Sequence, residues 1–240
     1  RERAAGADIV AFHPYGQTVG GLVAHEDGDV GGLDDLPGTR VGVTRRLDKN
    51  WILTRAACRE FHGFDPAETA TLVEADSRDH LTRLIREGTV DAGFQFWPLV
   101  PELVATGPFE QVLSVSTLVQ RLSGADRRVP IATFLTGESY LDAHPDAVRG
   151  FAAAAHDATD RLRTDDALWD EIGERLMTTD DPVVVRAVRT GWRDMAVSEW
   201  DQTRVEAMHR LFDHLKAVAG ADALGVTEIP GGTLRPIDHL

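Results

Sequence analysis

Along the first two-thirds of the chain, short apolar runs alternate with stretches in which apolar residues recur every three or four positions. The short runs read as strands buried on both faces, and the longer periodic stretches as amphipathic helices. Strands are predicted over 8–12, 20–25, 39–43, 71–74, 90–96, 111–115 and 131–135, with His13-Pro14-Tyr15-Gly16 turning the chain after the first. A one-turn helix is expected near 32–36. A helix over 50–61 places Trp51, Ile52, Ala56 and Phe61 on one side and stops at Gly63. Asp65 and Pro66 open a short loop. A second helix, 77–87, turns Leu81, Leu84 and Ile85 inward and ends at Gly88; a third, 98–106, is closed by Gly107.

From residue 138 the period is helical nearly throughout, over 138–143, 145–163, 166–177, 182–196 and 202–218. Asp165, Asp181 and Asp201 stand where N-caps belong, and Pro145 and Pro182 at first-turn positions. Trp169, Trp192 and Trp200 read as packing between these helices. The tail beyond 225 is punctuated by Gly and Pro and reads as extended.

Strands alternating with helices imply an α/β fold with a mainly parallel sheet, covered on both faces. Such sheets bind ligands outside the carboxyl ends of their strands. Four strand ends are then candidate pocket positions: FHPYG, VTRRLDKNW, FQFWP and ATFLTGES. They present aromatic rings and a few directed polar groups, which is the make-up of a small-molecule pocket. The candidate ligand-binding residues are His13, Tyr15, Asp48, Lys49, Asn50, Trp51, Gln95, Trp97 and Phe134. Asp48 serves equally as a helix N-cap or as the partner of a ligand amine. Lys49 and the first free amides of the following helix favour an anion instead. Trp51 and Phe134 fit a pocket wall or the core.

Composition narrows the classes. The 240 residues are 42% hydrophobic and 27% charged, enough for one large domain or two compact lobes. A net charge of −14 opposes phosphate backbones, which argues against a nucleic-acid partner. The single cysteine, Cys58, makes neither an internal disulfide nor a thiolate zinc site, and it falls on the apolar side of a predicted helix. No apolar run reaches the roughly 18 residues of a membrane span. There is no nucleophile elbow, phosphate loop or dinucleotide fingerprint, and no histidine pair at metal-binding helical spacing. No catalytic residue, metal or cofactor is expected.

Three passages, in order, carry a resemblance. GGLDDLPGTRVGV is similar to the SLADLKGKKVAV-type passage of solute-binding proteins of ABC importers. LTRLIREGTVDAGFQFWPLVPELVATG resembles their helix, Gly-x-Val-Asp-Ala and strand passage, and GESYLDAHPDAVRGFAAA their short helix, His-Pro and long helix. Order and spacing agree over residues 9–162, nearest the nitrate/sulfonate/taurine and thiamine-precursor branch. The resemblance implies a two-lobed type II periplasmic-binding-protein fold, with 1–35 in the first lobe and a crossing strand. It assigns 36–115 to the second lobe and 116–240 to a return and a C-terminal helical cap. A further N-terminal stretch of the first lobe is expected before residue 1.

By the same resemblance the chain is an extracytoplasmic or periplasmic, monomeric, non-enzymatic protein. It captures a small organic ligand (an amine, a pyrimidine-like ring, a sulfonate or a carboxylate) for ABC permease subunits. An enzyme acting on a small precursor, or the sensing domain of a regulator, would use the same fold. Where many relatives have a Gly-Ser or Gly-Thr cradle after the first strand of that lobe, this chain has Arg45-Arg46-Leu47-Asp48-Lys49-Asn50.

Overall fold

The computed structural model describes residues 1–17, 19–177 and 179–236. In chain order its elements begin with β1 (Val10–Gly16), β2 (Gly21–His25), a 3-10 turn at Leu33–Asp35, β3 (Arg40–Val43), α1 (Lys49–Phe61) and α2 (Pro66–Thr69). There follow β4 (Thr71–Glu74), α3 (Arg78–Arg86), β5 (Ala92–Gln95), α4 (Leu99–Thr106), β6 (Phe109–Ser114), α5 (Val115–Ser123) and β7 (Ala132–Thr136). The helical remainder comprises α6 (Glu138–Ala143), α7 (Pro145–Thr164), α8 (Asp166–Leu176), α9 (Pro182–Met195), α10 (Gln202–Ala219) and α11 (Ala221–Leu224).

Two sheets organise the chain. Five strands pair in the order β4-β3-β5-β2-β6, and β1 pairs separately with β7. Strand β3 runs parallel to β4 and β5, joined by helical crossovers, as the alternating pattern requires. Strand β2 departs from the expected parallel sheet, running antiparallel to both β5 and β6. It arrives from the β1–β7 sheet through a short crossing segment, so no crossover helix fixes its direction.

Alternation along β2 divides the core. Leu22 faces α1 and α5 together with Val41, Trp51 and Phe94, while Val23 faces α3 and α4 with Leu81, Ile85 and Leu103. Helix α10 covers the first face, contributing Ala207 and Leu211. Helix α9 packs with α8 through Trp192 and Trp169, and the same cluster takes in Trp97 at the entrance of α4. On the smaller sheet, Val10 and Phe12 pack beneath α6 and α7.

The expected turn at His13-Pro14-Tyr15-Gly16 is instead the second half of β1. Pro14 cannot donate to a ladder, and register shifts on both sides of it absorb the mismatch. The short loop expected at Asp65-Pro66 is the start of helix α2, with Asp65 as its cap. Trp200 is buried but lies in the segment before α10, outside any helix.

The expected caps are made. Asp48, Asp165, Asp181 and Asp201 each accept a backbone N–H of the helix that follows. The cores hold Cys58 completely: burial, and the nearby Asp65 and Asp34 charges, push its thiol up to about 12. Native protein should therefore react with iodoacetamide at pH 8 about a thousandfold more slowly than urea-unfolded protein. Equal labelling rates followed by mass spectrometry would refute that burial.

Candidate functional site

The carboxyl ends of β3, β4 and β5 converge with the amino ends of α1 and α3. Strand β3 ends at Val43, and the chain reaches α1 through Arg45–Asp48. Asp48 caps α1, accepting the Asn50 N–H at 2.8 Å. Strand β4 ends at Glu74, and Ser77 caps α3 by accepting the His80 N–H at 3.1 Å. Arg78, the first residue of α3, lays its guanidinium 3.9 Å from the centre of the Phe96 ring, just past β5.

These groups interact electrically. Burial raises the Asp48 pKa, against the Asn50 N–H, the Lys49 ammonium and the Arg78 guanidinium, which favour its charged form. Burial lowers the Lys49 pKa, and Arg78 adds to that effect while Asp48 opposes it. Asp48, Lys49 and Arg78 thus stand at the N-termini of two helices, with Asp79 also in the first turn of α3.

A cavity of about 640 Å³ adjoins this cluster, lined by Gly20 of the crossing segment, Trp97, one side of α4, the start of α5, Arg128 and α9. Two contacts join cluster and cavity. The Gly20 N–H approaches Asn50 Oδ1 at 3.4 Å, and the Phe96 and Trp97 rings meet edge to face at 6.2 Å. The lining mixes Trp97, Val100 and Met195 with the hydroxyls of Ser114, Ser116, Thr117 and Thr190. Arg128 closes one side, donating to the Arg193 carbonyl at 3.1 Å and pairing with Asp194 at 3.4 Å. Buried Gln17, in the crossing segment, accepts from the Ser116 hydroxyl, while its Nε2 has no partner among the described residues.

The residues singled out from sequence fall into three groups. Asp48, Lys49, Asn50 and Trp97 gather around the strand ends. His13, Tyr15 and Phe134 form a separate aromatic group on the β1–β7 sheet: His13 stacks on Phe134 at 6.2 Å, and Tyr15 meets it edge-on at 5.8 Å. Trp51 and Gln95 point inward. Trp51 is 2% exposed and packs against Phe94, and Gln95 is wholly buried. Its amide donates to the Arg78 carbonyl and Thr82 and accepts the Phe96 N–H, so it positions the Arg78–Phe96 pair from behind.

Arg78 is the residue that the sequence reading missed. Its signal was present in EADSRDH, a capped helix start directly after a strand, and thus one more strand end of the same kind. Among the described residues, no group of three or more His, Cys, Asp or Glu side chains could hold a metal ion.

A family model described as NMT1/THI5 like matches residues 1–166. No curated protein matches the chain by sequence. Among solved structures, the chain is similar to the alkanesulfonate-binding protein SsuA from Xanthomonas axonopodis pv. citri bound to MOPS. That match has a TM-score of 0.72 and 17% identity, over 98% of this chain and 76% of that one. The periplasmic aliphatic sulphonate-binding protein SsuA from Escherichia coli gives a TM-score of 0.74 and 15% identity, over 97% and 74%. The desulfurization enzyme DSZB matches with a TM-score of 0.58 and 18% identity, over 93% and 78%. At these identities the likeness is one of fold, that of type II periplasmic binding proteins.

Proposed function

The chain belongs to the NMT1/THI5-like family, and on that premise we propose that it is an extracytoplasmic solute-binding protein that captures a small organic anion for an ABC importer. The observation that carries the reading is the pairing of Lys49 and Arg78 at the N-termini of α1 and α3, beside an aromatic wall of Phe96 and Trp97. Asp48 caps α1, and the Lys49 ammonium and the Arg78 guanidinium offer a negative guest two charged donors, with a sulfonate or carboxylate as the fitting head group. The apolar body of the ligand would lie toward Trp97 and the adjoining cavity. The sulfonate-binding proteins of the same fold support that choice.

In this reading the five-stranded sheet with its helices is the second lobe, starting at β2 rather than at residue 36, and the β1–β7 sheet belongs to the first. Ligand contacts to both lobes would stabilise a closed state that the membrane subunits recognise. Among the described residues no helix is long and apolar enough to cross a membrane. An enzyme of this fold exists in DSZB, yet the one thiol here is buried and held protonated, so it supplies no nucleophile.

The test is calorimetric titration of wild type and the Lys49→Gln/Arg78→Gln double variant with alkanesulfonates, alkylcarboxylates and matched alkylamines. Anions should bind wild type and lose at least about tenfold in affinity in the double variant. Preference for the amines, or anion binding untouched by the double substitution, would overturn the reading.

A further inference from the structure

We propose that the ligand of the strand-end site is a hydroxylated ring acid, a sugar acid or its sulfonate counterpart, whose ring lies in the cavity beside Trp97. The inference rests on the anion reading of Lys49 and Arg78 and adds the chemistry of the rest of the molecule.

One wall of the cavity is apolar. Trp97 stands at the entrance of α4, and Val100, Pro101 and Val104 continue the same wall. Val104 is 41% exposed, so the helix leaves an apolar side chain uncovered there. An indole beside aliphatic side chains suits the C–H face of a saturated ring.

The walls supplied by α5 and α9 are polar, and their hydrogen-bonding capacity is lopsided. The Ser116 hydroxyl already donates to Gln17, and the Thr190 hydroxyl donates to the Arg186 carbonyl at 3.0 Å, so each offers lone pairs. Gln120 donates an amide N–H to the Asp126 carbonyl at 3.1 Å and keeps its Oε1 as an acceptor. Asp194 meets Arg128 through Oδ1 at 3.4 Å and keeps Oδ2. These acceptors are spread over two helices. A fitting guest therefore brings several donors separated in space. A lone ammonium carries its donors at one point, whereas the hydroxyls of a sugar ring carry one each around the rim. The same hydroxyls can accept from Arg128 and from Ser114, whose side chain makes no cap bond with α5.

An apolar face with a hydroxyl rim is the form of a pyranose. About 640 Å³ holds such a ring together with bridging water. The Gly20–Asn50 and Phe96–Trp97 contacts join this cavity to the Lys49 and Arg78 cluster, where the acid group belongs.

The probes are glucuronate and galacturonate, titrated by calorimetry. Cyclohexanecarboxylate serves as a ring acid without hydroxyls, and glucuronamide as an uncharged sugar. The better uronate should bind at least about tenfold more tightly than either control. Asp194 and Thr190 are both exposed, so Asp194→Ala/Thr190→Val should fold with a Tm within about 2 °C of wild type. That variant should lose at least about fivefold in uronate affinity, and it should bind cyclohexanecarboxylate no more weakly than wild type does. Cyclohexanecarboxylate binding as tightly as both uronates, or a uronate advantage untouched in the double variant, would overturn the hydroxylated body and leave the anion reading standing. Glucuronamide binding as tightly as glucuronate would overturn the acid group, and with it the anion reading, so the two failures are told apart.

Discussion

Gly20→Ala is expected to destabilise the protein by about 3 kcal/mol or more, a fall in Tm of roughly 6–12 °C for a chain of this size. A Cβ at Gly20 would sit 1.7 Å from the Gln95 carbonyl oxygen and 2.8 Å from its carbonyl carbon. Both atoms are backbone at the end of β5, a central strand, so no rotamer change relieves the overlap. Moving the crossing segment away would break two of its anchors. The Gly20 carbonyl accepts the Val115 N–H at 3.1 Å, and the Gly20 N–H faces Asn50 Oδ1. The substitution should therefore also disturb the junction between the two sheets, where ligand-driven closure would pivot. Gly32→Ala is the control, because nothing lies within 4 Å of its added methyl, and its Tm should stay within about 2 °C of wild type. A Gly20→Ala protein as stable as wild type would mean that β2 and β5 are spaced differently at the crossing.

That close approach could not be read from the chain. GQTVGG appears in the sequence as a glycine cluster without a phosphate-loop spacing, and only the pairing of β2 with β5 reveals its purpose. Local signals fared better. The aspartate caps, the glycine stops and the helical period after residue 138 depend on neighbours within a few positions, and the helices stand where those signals set them. Helix α5 went unseen because Val115, Leu118, Val119 and Leu122 continue an apolar strand with no Gly or Pro between them, and Ser114 makes no side-chain cap. The direction of β2 is likewise a tertiary matter, set by its arrival from the other sheet.

At the candidate site, the strand-end rule located Asp48, Lys49, Asn50 and Trp97, while the facing of Trp51 could not be decided from its residue type. An aromatic in the first turn of a helix can turn to the cleft or the core, and here Phe94 on the neighbouring strand draws it into the core. Arg78 lies 29 positions from Lys49 in the chain, and the parallel alignment of β3 with β4 brings their helices together. Trp200 looked like one more packing residue, and the lack of a partner for its indole N–H among the described residues is a tertiary matter.

Asp65→Ala should be nearly as damaging as the change at Gly20, at about 3 kcal/mol, because it strips one carboxylate from two arginines and a helix cap. The Asp65 side chain is 4% exposed. It accepts from Arg55 Nε at 2.9 Å and Nη2 at 2.7 Å, from Arg59 Nε at 2.8 Å, and from the Ala67 N–H at 2.9 Å. Arg55 and Arg59 keep some access to water, which holds the loss toward the lower end of the range for broken buried pairs. Burial alone would raise the Asp65 pKa, but the Arg55, Ala67 and Arg59 hydrogen bonds outweigh it and bring it down to about 2. Because the folded value lies below the ordinary value of 3.8, this stabilisation is present in full above that pH. It is lost as pH falls through about 2, and amounts to roughly 2 kcal/mol. Asp65→Asn keeps an acceptor for the Ala67 N–H but not the charge. Urea unfolding between pH 5 and pH 2 should then show wild type losing its advantage over Asp65→Asn as the acid range is entered. A constant difference between the two proteins across that range would mean that the carboxylate charge does not hold Arg55 and Arg59 in solution.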